Sequence, residues 1–173
     1  MPIRPATTED STTIAAIYDA AVLAGTASFE LDPPGPKEMA RRMHAIVAAG
    51  YPYLVLEEDG RVLGYAYVTA FRPRPAYLHT VENSVYVDET ARGHGIGRLL
   101  LDALITECEA RDFRQMVAVI GDSGNAGSIA LHRACGFAPI GTLPATGFKL
   151  GRWIDTVLMQ RSLGAGATEP PSR

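Results

Sequence analysis

The chain has 173 residues, of which 47% are hydrophobic, so it is long enough for a single domain with a large core. Its formal net charge of −3 argues against a nucleic-acid-binding surface. The sequence has no run of 18 apolar residues and no apolar segment following its N-terminal Met-Pro-Ile-Arg-Pro, so neither a membrane span nor a secretion signal is predicted. We expect a cytoplasmic protein without a metal site, because Cys108 and Cys135 lack metal-ligand spacing and fit small core positions.

The first half of the chain predicts a strand, two helices and a hairpin. Its predicted elements are a strand at 3–6, a helix from Thr8 to Gly25, a helix at 37–49, and strands at 53–57 and 62–71. Asp59-Gly60 between the last two apolar runs is a strong hairpin signal. Residues 26–36 carry Asp-Pro-Pro-Gly-Pro and predict a loop.

The second half predicts strands that alternate only partly with helices. Its predicted elements are a strand at 81–87, a helix from Ile96 to about Arg111, a strand at 115–120, a helix from Asn125 to Gly136, and strands at 137–143 and 153–160. This order indicates a mixed α/β sheet in one domain at 1–163 and differs from a Rossmann pattern. The small, polar, proline-bearing tail at 164–173 predicts disorder.

A glycine-rich segment, Arg92-Gly93-His94-Gly95-Ile96-Gly97, joins the strand at 81–87 to the helix that follows. Unpaired N–H groups and the positive end of a helix dipole meet at such a junction and attract an anion. A P-loop requires lysine after its last glycine, and a dinucleotide fingerprint requires glycine at 98, where this chain has Arg98. The segment therefore predicts a phosphate site of another kind.

The strand before this segment carries a carboxylate, Glu82. Strand alternation places Glu82, Ser84 and Tyr86 on one face, and Asn83 on the other with three valines. An acidic residue within a β-branched strand is unusual, and partial burial would raise its pKa towards that of a useful base. The alternative interpretation is a solvated glutamate on an exposed sheet face.

Several motifs resemble one family. The order R-x-x-G-x-G, entered from a strand in mid-chain and followed by Leu-Leu, resembles the acetyl-coenzyme A pyrophosphate loop of the GCN5-related N-acetyltransferases (GNAT). Within that superfamily, the phosphinothricin and methionine sulfone/sulfoximine acetyltransferase group is similar over nearly the whole chain, from Ile3 to about Leu163. The segments that carry this likeness are 80–87, 117–121, Asn125, 131–132 with 136–137, and 147–149 with 151–155.

The resemblance implies the GNAT fold: a mixed sheet, splayed at a bulge between its fourth and fifth strands near 83–85, with about four flanking helices. Acetyl-CoA would be the acetyl donor, with its pantetheine in the splay. The residues that the resemblance assigns to acetyl-CoA are Val85, Tyr86, Val87, Arg92, Gly93, His94, Gly95, Ile96, Gly97, Arg98, Asn125 and Ser128.

The resemblance also implies two catalytic residues, Glu82 and His132. Glu82 would act as general base on the acceptor amine. His132 stands where many acetyltransferases have a tyrosine that protonates the leaving thiolate, and it could be an acid, an auxiliary base or a structural residue. Acceptor-binding residues would be Phe29, Arg72, Arg74, Tyr77, Glu82, Asn83 and Ser84.

The implied function is transfer of acetyl to the α-amine of a small amino-acid analogue: phosphinothricin, methionine sulfone or methionine sulfoximine. The group forms homodimers, so Lys149, Arg152 and Trp153 would lie in a dimer-facing or site-closing segment. Leu78 stands where other members have a charged residue, which leaves the acceptor open. The alternatives are a protein N-terminal or polyamine acetyltransferase, and a non-catalytic acyl-CoA-binding sensor.

Overall fold

A computed structural model describes residues 2–172; Met1 and Arg173 lie outside the described residues. Within that range the strands form one sheet in the order β1-β2-β3-β4-β5-β7-β6. The elements are β1 (Ile3–Pro5), α1 (Ser11–Ala24), α2 (Gly35–Ala48), β2 (Tyr53–Glu58), β3 (Arg61–Ala70), β4 (Thr80–Val87), α3 (Ile96–Ala110), β5 (Gln115–Gly121), α4 (Ala126–Ala134), β6 (Ala138–Lys149) and β7 (Arg152–Ser162).

The hairpin predicted between β2 and β3 is confirmed. Asp59 and Gly60 both have positive φ, at 50° and 76°, which is the backbone that a two-residue hairpin turn requires. The chain then pairs β3 with β4 in a uniform antiparallel register, from Gly64↔Val87 to Ala70↔Val81.

Apolar side chains fill both faces of the sheet. On one face, α3 contributes Leu100, Leu101 and Leu104, all fully buried against β4 and β5 residues such as Val81 and Met116. The other face is covered by α1 and α2, which pack on a row of tyrosines. The members of this second cluster include Ile14, Ile17, Met39, Met43, Tyr53 and Tyr65. The sheet is thus the middle layer of three, as the mixed α/β prediction requires.

The sheet opens between β4 and β5. These strands run parallel and pair only from Thr80↔Gln115 to Asn83↔Ala118, although both continue further. The predicted splay is therefore confirmed. The prediction of a bulge near 83–85 is wrong, because the β3–β4 register stays uniform through these residues. The gap arises where β4 leaves β5.

The β6–β7 hairpin is longer than the sequence predicts. β6 extends to Lys149, although its prediction ended at 143, because the strand continues past register irregularities between Leu143 and Gly147. Pro144 and Gly147 obscured that continuation in the sequence. Almost every β6 side chain before Lys149 is exposed.

The C-terminal segment, for which the composition predicts disorder, lies against the end of α3 and the start of β5. The Gly164 amide donates to the Glu109 carboxylate, and the Ser172 amide donates to Asp112 at 2.8 Å. The Arg114 guanidinium donates to the Pro170 carbonyl. These contacts come from distant residues, which a local composition cannot indicate.

The glycine at the end of β5 provides a test of packing. A Cβ at Gly121 would overlap the Thr26 carbonyl oxygen and lie 2.9 Å from the Phe29 ring. We expect Gly121→Ala to lower the free energy of unfolding by about 1–3 kcal/mol, as overpacking does. Urea denaturation measures this, with Gly141→Ala as the control because a Cβ there meets open space. Equal stability of the two variants would contradict the packing described.

Candidate active site

A cleft of about 670 Å³ lies where β4 and β5 part. Its floor is the end of β4, and its walls are the start of α3, the start of α4 and the C-terminal half of α1 with the loop that follows. The predicted cofactor residues that line it are Val85, Tyr86, Val87, Arg92, Gly93, Gly95, Ile96, Gly97, Arg98, Asn125 and Ser128. His132 also lines it, whereas His94 turns its ring towards the Ala91 carbonyl, 3.4 Å away.

The glycine-rich segment has the geometry of an anion cradle. Gly93 and Gly95 have φ of 81° and 79°, and Gly95 is the N-cap of α3, so the first amides of the helix face the cleft region. A Cβ at either glycine would meet open space among the described residues. Arg92 and Arg98 flank the cradle and make only loose ion pairs, with Glu89 at 3.8 Å and Asp102 at 3.6 Å.

The wall formed by α1 was missed by the sequence analysis. Ala20, Ala21 and Ala24 present small side chains to the cleft, followed by the loop residues Gly25 and Thr26. The Thr26 hydroxyl donates to Asp122 at 3.1 Å, which joins this loop to the end of β5. The run of small residues on one helix face was a signal, but only the fold shows that this face meets β4.

A narrow extension of about 60 Å³ continues between the diverging strands. It is lined by Ser84 and Val85 on β4, Val119 on β5, and Ser128 and His132 on α4, among others. The main-chain groups of β4 beyond Asn83 face this gap and not a β5 partner. A linear chain with amide groups could pair with them as an added strand.

His132 is 5% exposed and hydrogen-bonded through both ring nitrogens. Nδ1 lies 2.8 Å from the Ser128 carbonyl, and Nε2 lies 3.0 Å from Oδ1 of Asn83. Burial lowers the pKa of His132, and the bond to the Ser128 carbonyl opposes this effect. Asn83 is therefore brought to His132, on the sheet face opposite Glu82, and its part in acceptor binding stays a prediction.

Glu82 pairs with Val117, one residue before the strands part, on the sheet face opposite Asn83. It is half-buried, and burial raises the pKa of its carboxyl above the ordinary value, while the charge of Arg72 acts in the opposite direction. Partial burial and a raised pKa both suit a general base that works near neutral pH. Ser84, two residues along the same face, lies opposite Tyr67 of β3.

Phe29 occupies a slot made by two glycines. A Cβ at Gly147 would lie 2.5 Å from its ring, and a Cβ at Gly121 would lie 2.9 Å from it. The residue nevertheless remains 41% exposed. The residues next to it are fixed as well, since the Lys149 ammonium, 5% exposed, donates to the Ser28 carbonyl at 2.7 Å. The position of Phe29 is therefore determined by contacts from β5 and β6.

The remaining predicted acceptor residues lie before β4. The Arg72 guanidinium stacks on the Phe71 ring at 5.2 Å, and Tyr77 packs edge-on against the same ring at 5.6 Å. Arg74 is exposed at the start of a 3-10 turn, Pro75–Tyr77. Arg72 is thus the arginine whose charge acts on Glu82, and the structure does not bring Arg74 to it in the same way.

Residues 2–172 contain neither a metal-binding cluster nor a membrane-spanning helix. In that range, histidine, cysteine and acidic side chains nowhere gather in threes around a point that could hold a metal ion. None of the helices described is both long and apolar enough to cross a membrane.

Residues 14–137 match the acetyltransferase (GNAT) family. The chain belongs to this family. It is 53% identical to the phosphinothricin N-acetyltransferase of Alcaligenes faecalis, over 98% of this chain and 86% of that protein. It is 42% identical to the L-methionine sulfoximine/L-methionine sulfone acetyltransferase of Pseudomonas paraeruginosa, over 97% of this chain and 98% of that protein.

A solved structure supports the same assignment. The GNAT superfamily phosphinothricin acetyltransferase from Sinorhizobium meliloti, in complex with AcCoA, superposes with a TM-score of 0.96 at 50% identity, covering 99% of this chain and 93% of that one. The predicted fold, the enzyme class of N-acetyltransferase and the acetyl donor, acetyl-CoA, are confirmed. The open cradle around Gly93 and Gly95 fits a diphosphate.

The electrostatics of Glu82 can be tested directly. We expect its carboxyl pKa to lie above the ordinary value because of burial, and to rise further in Arg72→Gln, which removes the opposing charge. A ¹³C NMR titration of the labelled carboxyl measures both effects. Arg74→Gln is the control and should leave the titration unchanged; a larger response to that variant would refute the arrangement described.

Proposed function

We propose that the protein transfers acetyl from acetyl-CoA to the α-amine of a small amino-acid analogue, with Glu82 as general base. The observation that carries the proposal is the position of Glu82. It lies on the strand that ends in the anion cradle, one residue pair before that strand leaves β5. A thioester held in the gap would thus lie beside a carboxylate with a raised pKa.

The donor half of the site would be built from main chain. The amides of residues 93–98, with Arg92 and Arg98, would hold the diphosphate, and the unpaired edge of residues 85–87 would hold the pantetheine. Asn125 and Ser128 would contact it from α4, on the opposite wall of the cleft. Acetyl-CoA supplies the acetyl thioester, and the chain supplies its orientation.

The reaction requires only a weak general base from the chain. An α-amine has an ordinary pKa of about 8, so part of it is already neutral near pH 7. Glu82, directly or through one water, would take the proton that the amine loses when it attacks the carbonyl. Main-chain amides near Val85 would polarise the acetyl oxygen.

The acceptor half would be built from side chains. Arg72, whose charge acts on Glu82, would bind the carboxylate of an amino acid, because a guanidinium matches a carboxylate in shape and charge. Phe29 would bound the space for the acceptor side chain. The names of the relatives favour phosphinothricin, methionine sulfone and methionine sulfoximine. Acetylation would remove the charge of the amine. If a toxic analogue is recognised by that charge, its acetylation would end the toxicity and so confer resistance.

The cradle predicts a specific effect on donor binding. Gly95 and Gly60 have nearly equal positive φ, 79° and 76°, so alanine carries the same backbone strain at both. Only Gly95 lies in the cleft. We therefore expect Gly95→Ala to weaken acetyl-CoA binding, measured by calorimetry, and Gly60→Ala to change stability alone. Equal affinities would argue against the cradle.

The base predicts an effect on turnover. We expect Glu82→Gln to lower kcat by about 10²–10⁴-fold while leaving acetyl-CoA affinity unchanged, because only proton acceptance is removed. In the wild type, kcat/KM should fall as pH drops through the raised pKa of Glu82, and this limb should disappear in the variant. A thiol-release assay over amino acids and their sulfone, sulfoximine and phosphinate analogues measures both. An unchanged pH profile would remove Glu82 from the role.

We further propose a homodimer that covers the β6–β7 hairpin. β6 is the last strand of the sheet and carries exposed apolar side chains, including Ile140, Leu143 and Phe148, and Trp153 on β7 is 64% exposed. Phe148 and Trp153 pack edge-on at 5.3 Å, which holds both rings outward. An apolar strand at a sheet edge favours association.

The dimer is tested by light scattering after size exclusion. We expect the wild type to have twice the chain mass and Trp153→Asp to shift it towards the monomer. Leu23→Asp is the matched control, because Leu23 is 62% exposed on α1 outside the hairpin. A monomeric wild type, or dissociation by the control alone, would refute this interface.

A further inference from the structure

Asn83 lies at the last paired position between β4 and β5 and is 6% exposed. Its side chain bonds in two directions: Nδ2 donates to the Val117 carbonyl at 3.1 Å, and Oδ1 lies 3.0 Å from Nε2 of His132. This buried amide therefore joins β5, β4 and α4 at the point where the gap opens.

The orientation of that amide is fixed by chemistry. A carbonyl oxygen only accepts hydrogen bonds, so the group facing Val117 must be the NH₂ donor. Turning the amide over would place two acceptors against each other in a buried site, which is costly. Oδ1 therefore faces His132, where it can accept a hydrogen from Nε2.

The other ring nitrogen also meets an acceptor. Nδ1 of His132 lies 2.8 Å from the Ser128 carbonyl, and the Ser128 hydroxyl is 3.4 Å away. A doubly protonated ring satisfies both acceptors, whereas a neutral ring leaves one lone pair facing an oxygen. Burial acts against the charge. A neutral ring must direct its single hydrogen to one of two acceptors, the Ser128 carbonyl or Asn83 Oδ1.

We propose that Asn83 is a positioning residue that keeps a hydrogen on Nε2 of His132 at the gap between β4 and β5. The catalytic consequence of this hydrogen rests on the proposed function. With that hydrogen donated to Asn83 Oδ1, Nε2 has no free lone pair and cannot take a proton from the amine. His132 is then excluded as the base, and that task falls to Glu82 alone.

The hydrogen can be observed by long-range ¹H–¹⁵N NMR of protein labelled in its histidine rings. The chain has four histidines, and His132→Gln identifies the signals of His132. We expect a protonated Nε2 in the wild type at neutral pH. Asn83→Asp keeps an acceptor and should keep that hydrogen. Asn83→Leu removes the acceptor, so the hydrogen should remain only on Nδ1, bonded to the Ser128 carbonyl.

The matched control is Thr80→Val, a polar-to-apolar change on the same strand, which should leave the His132 signals unchanged. A wild-type Nε2 without a hydrogen would overturn the proposal, and so would an Asn83→Leu variant whose ring keeps the wild-type form. If Asn83→Leu fails to fold, the wild-type spectrum still decides whether Nε2 is protonated.

Kinetics separate this role from mere packing. Asn83→Leu should lower kcat by roughly tenfold, the worth of about one hydrogen bond, because the contact that orients the His132 ring is lost, with acetyl-CoA affinity unchanged. Asn83→Asp should recover part of this loss. A switched ring with wild-type kcat would overturn the proposed positioning role. Failure to acetylate any amine would refute the proposed function, while the NMR result would stand independently.

Discussion

The early end of pairing between β4 and β5 is the constraint on which the site depends. A parallel sheet normally satisfies the main-chain groups of neighbouring strands along their shared length. Here pairing ends at Asn83↔Ala118, so the last residues of β4 keep free N–H and C=O groups facing a gap. The fold tolerates these unpaired main-chain groups because the gap opens into a cleft. The same divergence makes room for a ligand and supplies the groups that bind it.

The rest of the fold serves to hold that gap open. α3 is packed on the sheet by fully buried leucines, which fixes the helix start where the cradle forms. α4 is held to β4 by His132 and Asn83. On the opposite face, α1 covers the opening with alanines, and its loop is tied to Asp122 and Lys149. The walls of the cleft therefore lie largely on packed helices and strands, which favours a precise geometry.

The sequence predicted the features whose causes are local. The glycine-rich segment between a strand and a helix, and the hairpin at Asp59-Gly60, follow from residues adjacent in the chain. The slot for Phe29 does not, because it depends on Gly121 and Gly147, which lie far away in sequence. The Asn83–His132 contact spans 49 residues. Alternation placed Asn83 on the face opposite Glu82, but the pattern alone could not show which partner lay there.

In the proposed site the donor would be bound by main chain and the acceptor by side chains, and this difference has a consequence for evolution. An anion cradle made of backbone amides is almost indifferent to which side chains surround it, so mutations there mostly break it or leave it alone. The proposed acceptor side, with Phe29 and Arg72, would change its shape and charge with every replacement. A protein of this design can acquire new acceptors by single mutations while its use of one coenzyme stays constant.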